Sequence, residues 1–272
     1  MLVDSHCHLD RAYLPDGPGD VLARAEAAGV GAFVCIGVGR DLGAARAAVE
    51  LADARANVFA TVGVHPHDAA TTSDADVDEL SRLAKHPRVV AVGEVGLDFH
   101  YDHSPRDVQE RTFRRMIALA REIRKPLVIH TRSAPGPTLA ILEEENARDV
   151  GGIIHCFSED RPFAERALSI DFDLSFSGIL TFKNAEPIRD AARYAPASCI
   201  LIETDSPFLA PVPLRGKKCE PAYIVHTARY LAEIRGATSE AIAAQTTANV
   251  VRRLLLASAP PAAQDKREVF FG

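Results

Sequence analysis

The feature that most constrains the fold of this chain is a regular alternation of short apolar runs with longer stretches of helical period. Eight runs rich in β-branched residues predict strands: MLVDSHCH, GAFVCIGV, VFATVGVH, VVAVGEVGL, PLVIHT, GGIIHCFS, FDLSFSGIL and CILIETD. Helical periodicity between and after them predicts Gly19–Ala28, Leu42–Ala54, Asp76–Lys85, Pro105–Arg124, Thr138–Asn146, Arg161–Ser169, Glu186–Tyr194, Pro221–Arg235 and Ser239–Ala257. Eight strands alternating with helices in 272 residues predict an α/β fold of the (β/α)8 TIM-barrel class.

Length and composition favour a single barrel domain over residues 1–258, followed by a short C-terminal tail over 259–272. The tail sequence has adjacent prolines and mixed charges, which is typical of a loosely held terminus. No apolar stretch approaches the roughly 20 residues of a membrane-spanning helix, and no secretion signal is recognisable. The five cysteines have no C-x-x-C spacing. Together these observations predict a cytoplasmic protein.

Polar side chains collect where the predicted strands end, which in a barrel is the functional end. His6 and His8 are two positions apart, so in an extended strand their side chains share one face. A histidine pair of this kind fits a metal site or a hydrogen-bonded polar feature equally well. The whole set is larger: His6, His8, His65, Glu94, Asp98, His130, His155 and Asp205.

This set predicts a metal site, because polar groups late in apolar strands are costly unless they are paired or ligated. A hydrogen-bonded network without metal is the alternative. Four histidines and two acids exceed the needs of one four-coordinate ion, so we expect two divalent ions. We group His6, His8 and Asp205 on one ion and His130 and His155 on the other, with Glu94 as the bridge. Imidazole ligands suit zinc, manganese, nickel or iron better than magnesium, so the residues leave the metal open.

The motifs around these residues, taken in order, resemble those of the TatD family of metal-dependent deoxyribonucleases. They are DSHCHLD, GVHPH, GEVGLDFHYD, Gln109 in its helix, KPLVIHTR, HCFS, SFSGILTFKNA, ETDSPFLAP, RGKKCEPAYI and TTANV. The resemblance implies that the ligands are His6, His8, Glu94, His130, His155 and Asp205. It also implies cleavage of phosphodiester bonds in DNA, commonly from the 3′ end of single strands. Magnesium is the expected ion, with manganese and zinc open. The chain departs from the family pattern at TRSAPGPTLAIL and at Cys219, where asparagine is usual.

On this basis we expect the ions to lower the pKa of a water and to stabilise charge on the phosphate oxygens. Asp205 is expected to position that water and accept its proton, and Glu94 to act with it as a catalytic carboxylate. His65 is a candidate for donating a proton to the leaving oxygen or for binding the phosphate, with a structural role as the alternative. Glu203 and Asp98 are expected to support the ligands from behind.

Basic and aromatic side chains near the same strand ends are candidate contacts for the substrate. Arg132 follows His130, and its guanidinium is suited to bidentate hydrogen bonding with a phosphate. Arg215 and Lys217 lie in a basic segment after the eighth strand, where they are expected to contact backbone phosphates. Tyr101 is a candidate for stacking on a base. Ordinary packing or a helix-capping ion pair is the alternative for each.

The formal net charge of −6 argues against a protein that binds nucleic acid non-specifically by charge alone. It does not argue against an enzyme that binds phosphate at one local site. The expected partner is therefore the end of a single-stranded DNA. One alternative is a barrel metallohydrolase of another ester, an amide or an aminoacyl–nucleic acid. A carbamylated bridging lysine is disfavoured, because Glu94 occupies its place and Lys125 begins the fifth strand. A non-catalytic nucleic-acid-binding module is disfavoured by the ligand set. We expect no membrane or obligatory protein partner, and a monomer.

Overall fold

The computed structural model describes residues 1–256, so the predicted tail over 259–272 lies outside the described residues. The strands are β1 (Leu2–Cys7), β2 (Val30–Gly37), β3 (Val58–Val62), β4 (Val89–Asp98), β5 (Leu127–Arg132), β6 (Gly152–Ile154), β7 (Phe172–Phe176) and β8 (Ile200–Ile202). The α-helices are α1 (Gly19–Ala27), α2 (Gly43–Ala54), α3 (Asp74–Ala84), α4 (Arg106–Ile123), α5 (Pro135–Glu144), α6 (Arg161–Ser169), α7 (Glu186–Tyr194), α8 (Ile224–Arg235) and α9 (Ser239–Val250). A π-helical segment, Val251–Leu256, follows α9.

The strands form one eight-stranded sheet in sequence order, β1 to β8, which confirms the predicted alternation of strands and helices. Pairs β3–β4, β4–β5 and β7–β8 are parallel. Every residue of β4 and β7 is buried, as expected for strands of a parallel sheet that is covered on both faces. The predicted strand runs are mostly apolar for this reason.

Local chemistry explains where several helices begin. Ser73 and Asp76 form a reciprocal capping box, so α3 begins at Asp74, before the predicted start at Asp76. Helix α5 begins with Pro135, since a proline has no N–H to leave unsatisfied in the first turn. The predicted eighth helix begins with one 3₁₀ turn, Pro221–Tyr223, before its α-helical part.

Glycine is required at one point where β4 and β5 approach each other closely. Gly96 pairs with His130 and has a φ of +141°, a conformation that residues with side chains rarely adopt. A Cβ atom at Gly96 would also collide with the carbonyl oxygen of His130. The close approach sets the register in which Asp98 pairs with Arg132 at the carboxyl ends of these strands.

Contacts within the described chain separate two compact units, and we describe each by itself. The first unit comprises Met1–Val34 and Ile154–Val251, and its largest fully buried side chains include Phe33, Phe172 and Phe176. The second comprises Cys35–Ile153 and the residues from Arg252 onward. Among the described residues, no helix is long and apolar enough to cross a membrane.

Candidate metal centre

The structure gathers the predicted polar residues into two clusters, one in each unit. The Asp205 cluster, in the first unit, contains His6, His8, His155, Glu203 and Asp205. The Glu94 cluster, in the second unit, contains His65, Glu94 and His130. The ligand atoms form three triads, each within 4.8 Å: His6, His8 and Asp205; His6, His155 and Glu203; and His65, Glu94 and His130.

The Asp205 cluster is built from the ends of three strands. His6 lies in β1 and His8 directly after it, and their Nε2 atoms are 3.7 Å and 3.5 Å from Asp205 Oδ1. His155, which directly follows β6, stacks its ring on that of His6 with 3.8 Å between centroids and 11° between planes. The two β1-end histidines therefore face one carboxylate, as the two-residue spacing predicts.

Glu203 is a fully buried member of this cluster. Its two carboxylate oxygens differ in their hydrogen bonding. Oε1 accepts a hydrogen bond from the backbone N–H of Cys156 at 2.8 Å and lies 3.1 Å from His155 Nδ1. Oε2 is buried without a hydrogen-bond partner in the described part of the chain. An unsatisfied buried oxygen is costly, and a cation in this triad would satisfy it. Glu203, expected only to support the ligands, therefore has the position and the free oxygen of a ligand.

Asp4 is a further member of this region that the sequence analysis did not identify. Its Oδ1 accepts hydrogen bonds from the N–H groups of Thr204 at 2.9 Å and His6 at 3.3 Å, while Oδ2 lies 2.5 Å from Thr204 Oγ1. Complete burial raises the pKa of Asp4 to about 8, against the lowering effect of these hydrogen bonds. Asp4 shares a strand face with His6, and this two-residue spacing is the sequence signal that points to it.

Asp205 is held by its backbone as well as by its side chain. Its N–H donates to the carbonyl oxygen of His6 at 3.0 Å, and its φ of +55° is unusual for a residue with a side chain. Burial alone raises the pKa of Asp205, but the hydrogen bond to His8 and the charges of His6 and His155 outweigh it and hold the pKa below its usual range. Asp205 is therefore an ionised carboxylate at the mouth of this cluster.

The Glu94 cluster is less enclosed. Glu94 Oε1 lies 2.8 Å from His130 Nδ1 and 3.5 Å from His65 Nε2. The side chains of His65 and His130 are 14% and 16% exposed, against 3% for Glu94. Burial lowers the pKa of His65 to about 4, although Glu94 opposes this shift. His65 is therefore a neutral imidazole at pH 7, which is the form that binds metal ions.

Asp98, the last residue of β4, joins this cluster to the loop that follows the strand. Its Oδ2 lies 2.8 Å from His67 Nε2 and 3.3 Å from His130 Nε2, and its Oδ1 accepts the N–H groups of His100 and Tyr101, both at 2.9 Å. Burial alone raises the pKa of Asp98, but the hydrogen bonds from His130 and His67 outweigh it and hold the pKa well below its usual range. The predicted supporting position of Asp98 agrees with its contact to His130.

Gln109 and Ser104 fix this loop, a role that the sequence analysis did not assign. The side chain of Gln109 accepts from the N–H of Asp98 at 2.8 Å and donates to the carbonyl oxygens of Asp98 and Ser104 at 3.1 Å and 2.8 Å. Ser104 Oγ donates to the carbonyl oxygen of His67 at 2.9 Å and accepts from the N–H of Ala70 at 3.0 Å. Both side chains are fully buried, so they tie the loops after β3 and β4 together.

The predicted substrate contacts are exposed side chains of each unit. In the second unit the guanidinium of Arg132 lies 4.6 Å above the ring of Tyr101, which is 50% exposed. In the first unit Arg215 lies 4.3 Å above the ring of Phe182, and Lys217 is exposed on the same loop as Arg215. Arg132 and Tyr101 are thus brought together in one stack, and their contact with substrate stays a prediction.

Phe208 is an exposed aromatic residue that the sequence analysis missed. It follows the ETDSP motif, is 44% exposed, and meets the rings of His8 and Tyr13 edge to face at 5.9 Å and 5.4 Å between centroids. Its place three positions after Asp205 is the signal that could have identified it. Phe208 and Tyr13 form an aromatic wall beside the Asp205 cluster.

Comparisons with known proteins find relatives of this chain over most of its length. The family model of TatD-related DNases matches residues 3–255. The uncharacterized metal-dependent hydrolase YcfH of Escherichia coli K12 is 46% identical over 255 residues, which is 93% of this chain and 95% of YcfH. The 3′-5′ ssDNA/RNA exonuclease TatD of Klebsiella pneumoniae is 34% identical over 236 residues, 85% of this chain and 89% of the relative.

A solved structure confirms the predicted (β/α)8 barrel class. The crystal structure of YjjV, a TatD homologue from Escherichia coli K12, superposes with a TM-score of 0.87 at 25% identity. The superposition covers 93% of this chain and 97% of that one. The similarity of sequence and of fold thus extends over the same region that holds both clusters.

Proposed function

This chain belongs to the family of TatD-related DNases and is a metal-dependent hydrolase, and from this we propose that it cleaves phosphodiester bonds in single-stranded nucleic acid. The predicted family membership is confirmed. The observation that carries the proposal is the convergence of imidazole and carboxylate atoms into three triads, each within 4.8 Å. Such nitrogen and oxygen donors are suited to divalent ions that assist hydrolysis.

We propose that each cluster holds one divalent ion. In the Asp205 cluster the ligands are His6, His8 and Asp205, with His155 and the free oxygen of Glu203 beside them. In the Glu94 cluster the ligands are Glu94, His130 and His65. The bridging role of Glu94 and the pairing of His130 with His155 on one ion stay predictions of the sequence. Magnesium, manganese and zinc are the ions to compare.

When bound, a divalent ion polarises the phosphate and lowers the pKa of a water. Asp205 is ionised, so its carboxylate is able to accept the proton of the attacking water. His65 is neutral at pH 7, since its pKa is about 4. This favours a role for His65 as a ligand or a hydrogen-bond donor over its predicted role as the acid that protonates the leaving oxygen. Asp98 orients His130 through its contact with Nε2.

The substrate class rests on the relative from Klebsiella pneumoniae, which is named as a 3′-5′ exonuclease of single-stranded DNA and RNA. We propose the same class here, with digestion from the 3′ end. The stack of Arg132 on Tyr101 supplies a guanidinium for a phosphate and a ring for a base. Arg215 and Lys217 supply local positive charge in a chain whose formal net charge is −6. Contacts to backbone phosphates should therefore make binding weaken with salt.

The test is the cleavage of 5′-labelled single-stranded DNA and RNA oligonucleotides by metal-stripped protein, before and after magnesium, manganese or zinc is restored. A metal-dependent ladder that shortens from the 3′ end supports the proposal. Oligonucleotides with a blocked 3′ end are the control, because they should resist an exonuclease. Intact oligonucleotides with every ion, from protein shown to hold metal, would overturn it. Ester and amide substrates assayed in parallel would then test the other barrel hydrolase activities.

A further inference from the structure

The aromatic wall of Phe208 and Tyr13 lies beside the Asp205 cluster and is partly open to solvent. Phe208 is 44% exposed, and Tyr13 is half-buried. The two rings meet edge to face, and each also meets the ring of His8, with centroids 5.9 Å from Phe208 and 5.7 Å from Tyr13. His8 Nε2 is in turn 3.5 Å from Asp205 Oδ1. An exposed aromatic surface is therefore in direct contact with a proposed metal ligand.

The backbone around Phe208 is held on both sides. The N–H of Phe208 donates to the carbonyl oxygen of Asp205 at 2.8 Å. On the other side, Gly178 approaches the carbonyl oxygen of Leu209 so closely that a Cβ atom at Gly178 would collide with it. These contacts fix the backbone from which the ring of Phe208 projects, so the ring is presented to solvent from a defined position.

Tyr13 is held against the same region from another part of the chain. Its N–H donates to the carbonyl oxygen of Asp10 at 3.2 Å, in a turn that follows β1. Its own carbonyl oxygen accepts a hydrogen bond from Nζ of Lys218, which lies after β8. The wall therefore joins the segments that follow β1 and β8, the two strands whose ends hold His8 and Asp205.

A packing role accounts for only part of this arrangement. The edge-to-face contact with His8 explains why an aromatic residue stands at position 208, since such ring pairs are favourable. It does not explain why 44% of Phe208 stays exposed to water, because covering apolar surface is favourable as well. A single exposed apolar residue is ordinary elsewhere on a protein surface, but this one adjoins the candidate metal centre. Its free surface is suited to a flat apolar group of the substrate.

The segment that follows Phe208 favours an anionic ligand. Over residues 208–219 it contains Arg215, Lys217 and Lys218 and no acidic residue. Glu220, which comes next, pairs with Arg24, whose Nε and Nη2 atoms lie 2.7 Å and 2.9 Å from its carboxylate oxygens. A ligand that joins a flat aromatic group to a phosphate therefore matches both the wall and the charge beside it. Nucleotides are ligands of this kind.

We propose that the ring of Phe208, supported by Tyr13, stacks on the base of the 3′-terminal nucleotide while the phosphate of that nucleotide lies at the Asp205 cluster. This inference rests on the proposed nuclease activity and adds the group by which the substrate is recognised. Aromatic side chains stack on every base, so the wall selects nucleotides over other phosphate esters without reading a base sequence. Phe208 is thus a specificity-determining residue that takes no part in breaking the bond.

The first test compares two ligands that differ only in the base. Deoxyadenosine monophosphate and deoxyribose phosphate are titrated by calorimetry into the full-length, metal-loaded protein. We expect the nucleotide to bind about tenfold more tightly to the unchanged protein. Phe208→Ala should lose this preference, whereas Phe208→Tyr, which keeps a ring, should retain it. Tyr194→Ala is the matched control and should keep the full preference, because Tyr194 is 41% exposed at the end of α7, away from the cluster.

Cleavage gives a second readout. The unchanged protein should cleave an oligonucleotide whose 3′-terminal nucleotide lacks its base about tenfold less efficiently than the intact one. Phe208→Ala should cleave both oligonucleotides at the lower efficiency, because the ring no longer distinguishes them. Competition with a chelator should show the same metal affinity in Phe208→Ala and in the unchanged protein, since the proposed ligands are retained.

The other outcomes are distinct from one another. Equal binding of the two ligands, no binding of either, or a preference that persists in Phe208→Ala would overturn the proposal. So would a loss of metal affinity in Phe208→Ala with an equal loss for both ligands, which would assign Phe208 to positioning His8. If the nucleotide is preferred but no oligonucleotide is cleaved, the proposed nuclease activity fails while recognition of the base stands. Cleavage without any preference for the base would contradict only this inference.

Discussion

Asp4 and Asp98 are both buried carboxyl groups, each next to a proposed metal cluster. At pH 7, however, Asp4 is protonated and neutral, whereas Asp98 is ionised. Asp4 faces the hydroxyl of Thr204 and two backbone N–H groups, and burial raises its pKa to about 8. Asp98 faces two imidazoles in addition to two backbone N–H groups, and its pKa stays below the usual range despite burial. The balance between burial and the partners of each carboxyl decides whether it is ionised.

Because their protonation states differ, Asp4 and Asp98 support the neighbouring candidate ligands in different ways. Neutral Asp4 acts on geometry, because it ties the backbone of β1 at His6 to the residue that precedes Asp205. Ionised Asp98 acts on charge as well, since a carboxylate that accepts from His130 fixes the ring and raises the basicity of its other nitrogen. Asp4 thus supports the Asp205 cluster as a neutral group, whereas Asp98 supports the Glu94 cluster as an anion.

Replacing Asp205 tests whether the supporting contacts of its cluster suffice without its own carboxylate. In Asp205→Asn the charge that faces His6 and His8 is lost, so we expect about a thousandfold loss of kcat/KM on single-stranded DNA and loss of bound metal. Metal analysis and the cleavage assay measure both effects. Asp190→Asn, on the exposed face of α7, is the matched control. Full activity of Asp205→Asn would refute the proposed role.

Changing both supporting acids to asparagine tests the comparison directly. Asp98→Asn removes a buried charge from two imidazoles, so we expect a loss of about 2–4 kcal/mol in the free energy of unfolding. Asp4→Asn keeps a neutral group with an accepting oxygen and a donating nitrogen, so we expect a loss below about 1.5 kcal/mol at pH 6. Urea unfolding of the two variants provides the values. Equal losses would mean that the two acids share one charge state.

Glu203→Gln tests whether Glu203 belongs with the ligands. The amide retains an oxygen for the N–H of Cys156 but removes the charge beside His155. We expect metal affinity to weaken about 10-fold to 100-fold, with the fold retained. Competition with a fluorescent chelator measures the affinity. Glu240→Gln, exposed in the first turn of α9, should leave it unchanged. An unchanged affinity in Glu203→Gln would restrict Glu203 to a packing role.

We also expect a pH dependence of the free energy of unfolding that comes from Asp4. Its pKa is raised from 3.8 in the unfolded chain to about 8, so the folded state holds a proton that the unfolded state releases. The stability from protonated Asp4 is therefore complete below about pH 4 and is lost as the pH rises through about 8. Urea unfolding in a chelator should show the unchanged protein losing stability relative to Asp4→Asn over this range. A constant difference would contradict the proposed protonation.

Structural features that follow from a regular spacing of residue types along the chain could be predicted from the sequence. The apolar runs predicted the strands because strands buried on both faces are mostly apolar. The two-residue spacing of His6 and His8 predicted their shared face, and the structure places both beside Asp205. The boundaries of α3 and α5 differ from prediction by a few residues, since capping by Ser73 and a first-turn proline decide where those helices begin.

Contacts between distant positions could not be predicted in this way. Asp4 and Thr204 are 200 positions apart, and nothing in either segment indicates the other. Gln109 lies near the start of α4, and its bonds to Asp98 and Ser104 depend on how α4 packs, which periodicity does not report. The clustering of Glu203 with His155 likewise follows from the order of β6 and β8 in the sheet.

The contact between Asp4 and Thr204 also has a consequence for synthesis on the ribosome. β1, which carries Asp4 and His6, is made well before the end of β8, since Asp4 and Thr204 are 200 positions apart. At about 5–20 residues per second, the interval is roughly 10–40 s. During that time the nascent chain carries two histidines without the carboxylate that completes their site. The ion proposed for the Asp205 cluster would therefore find its full set of ligands only after β8 has left the ribosome.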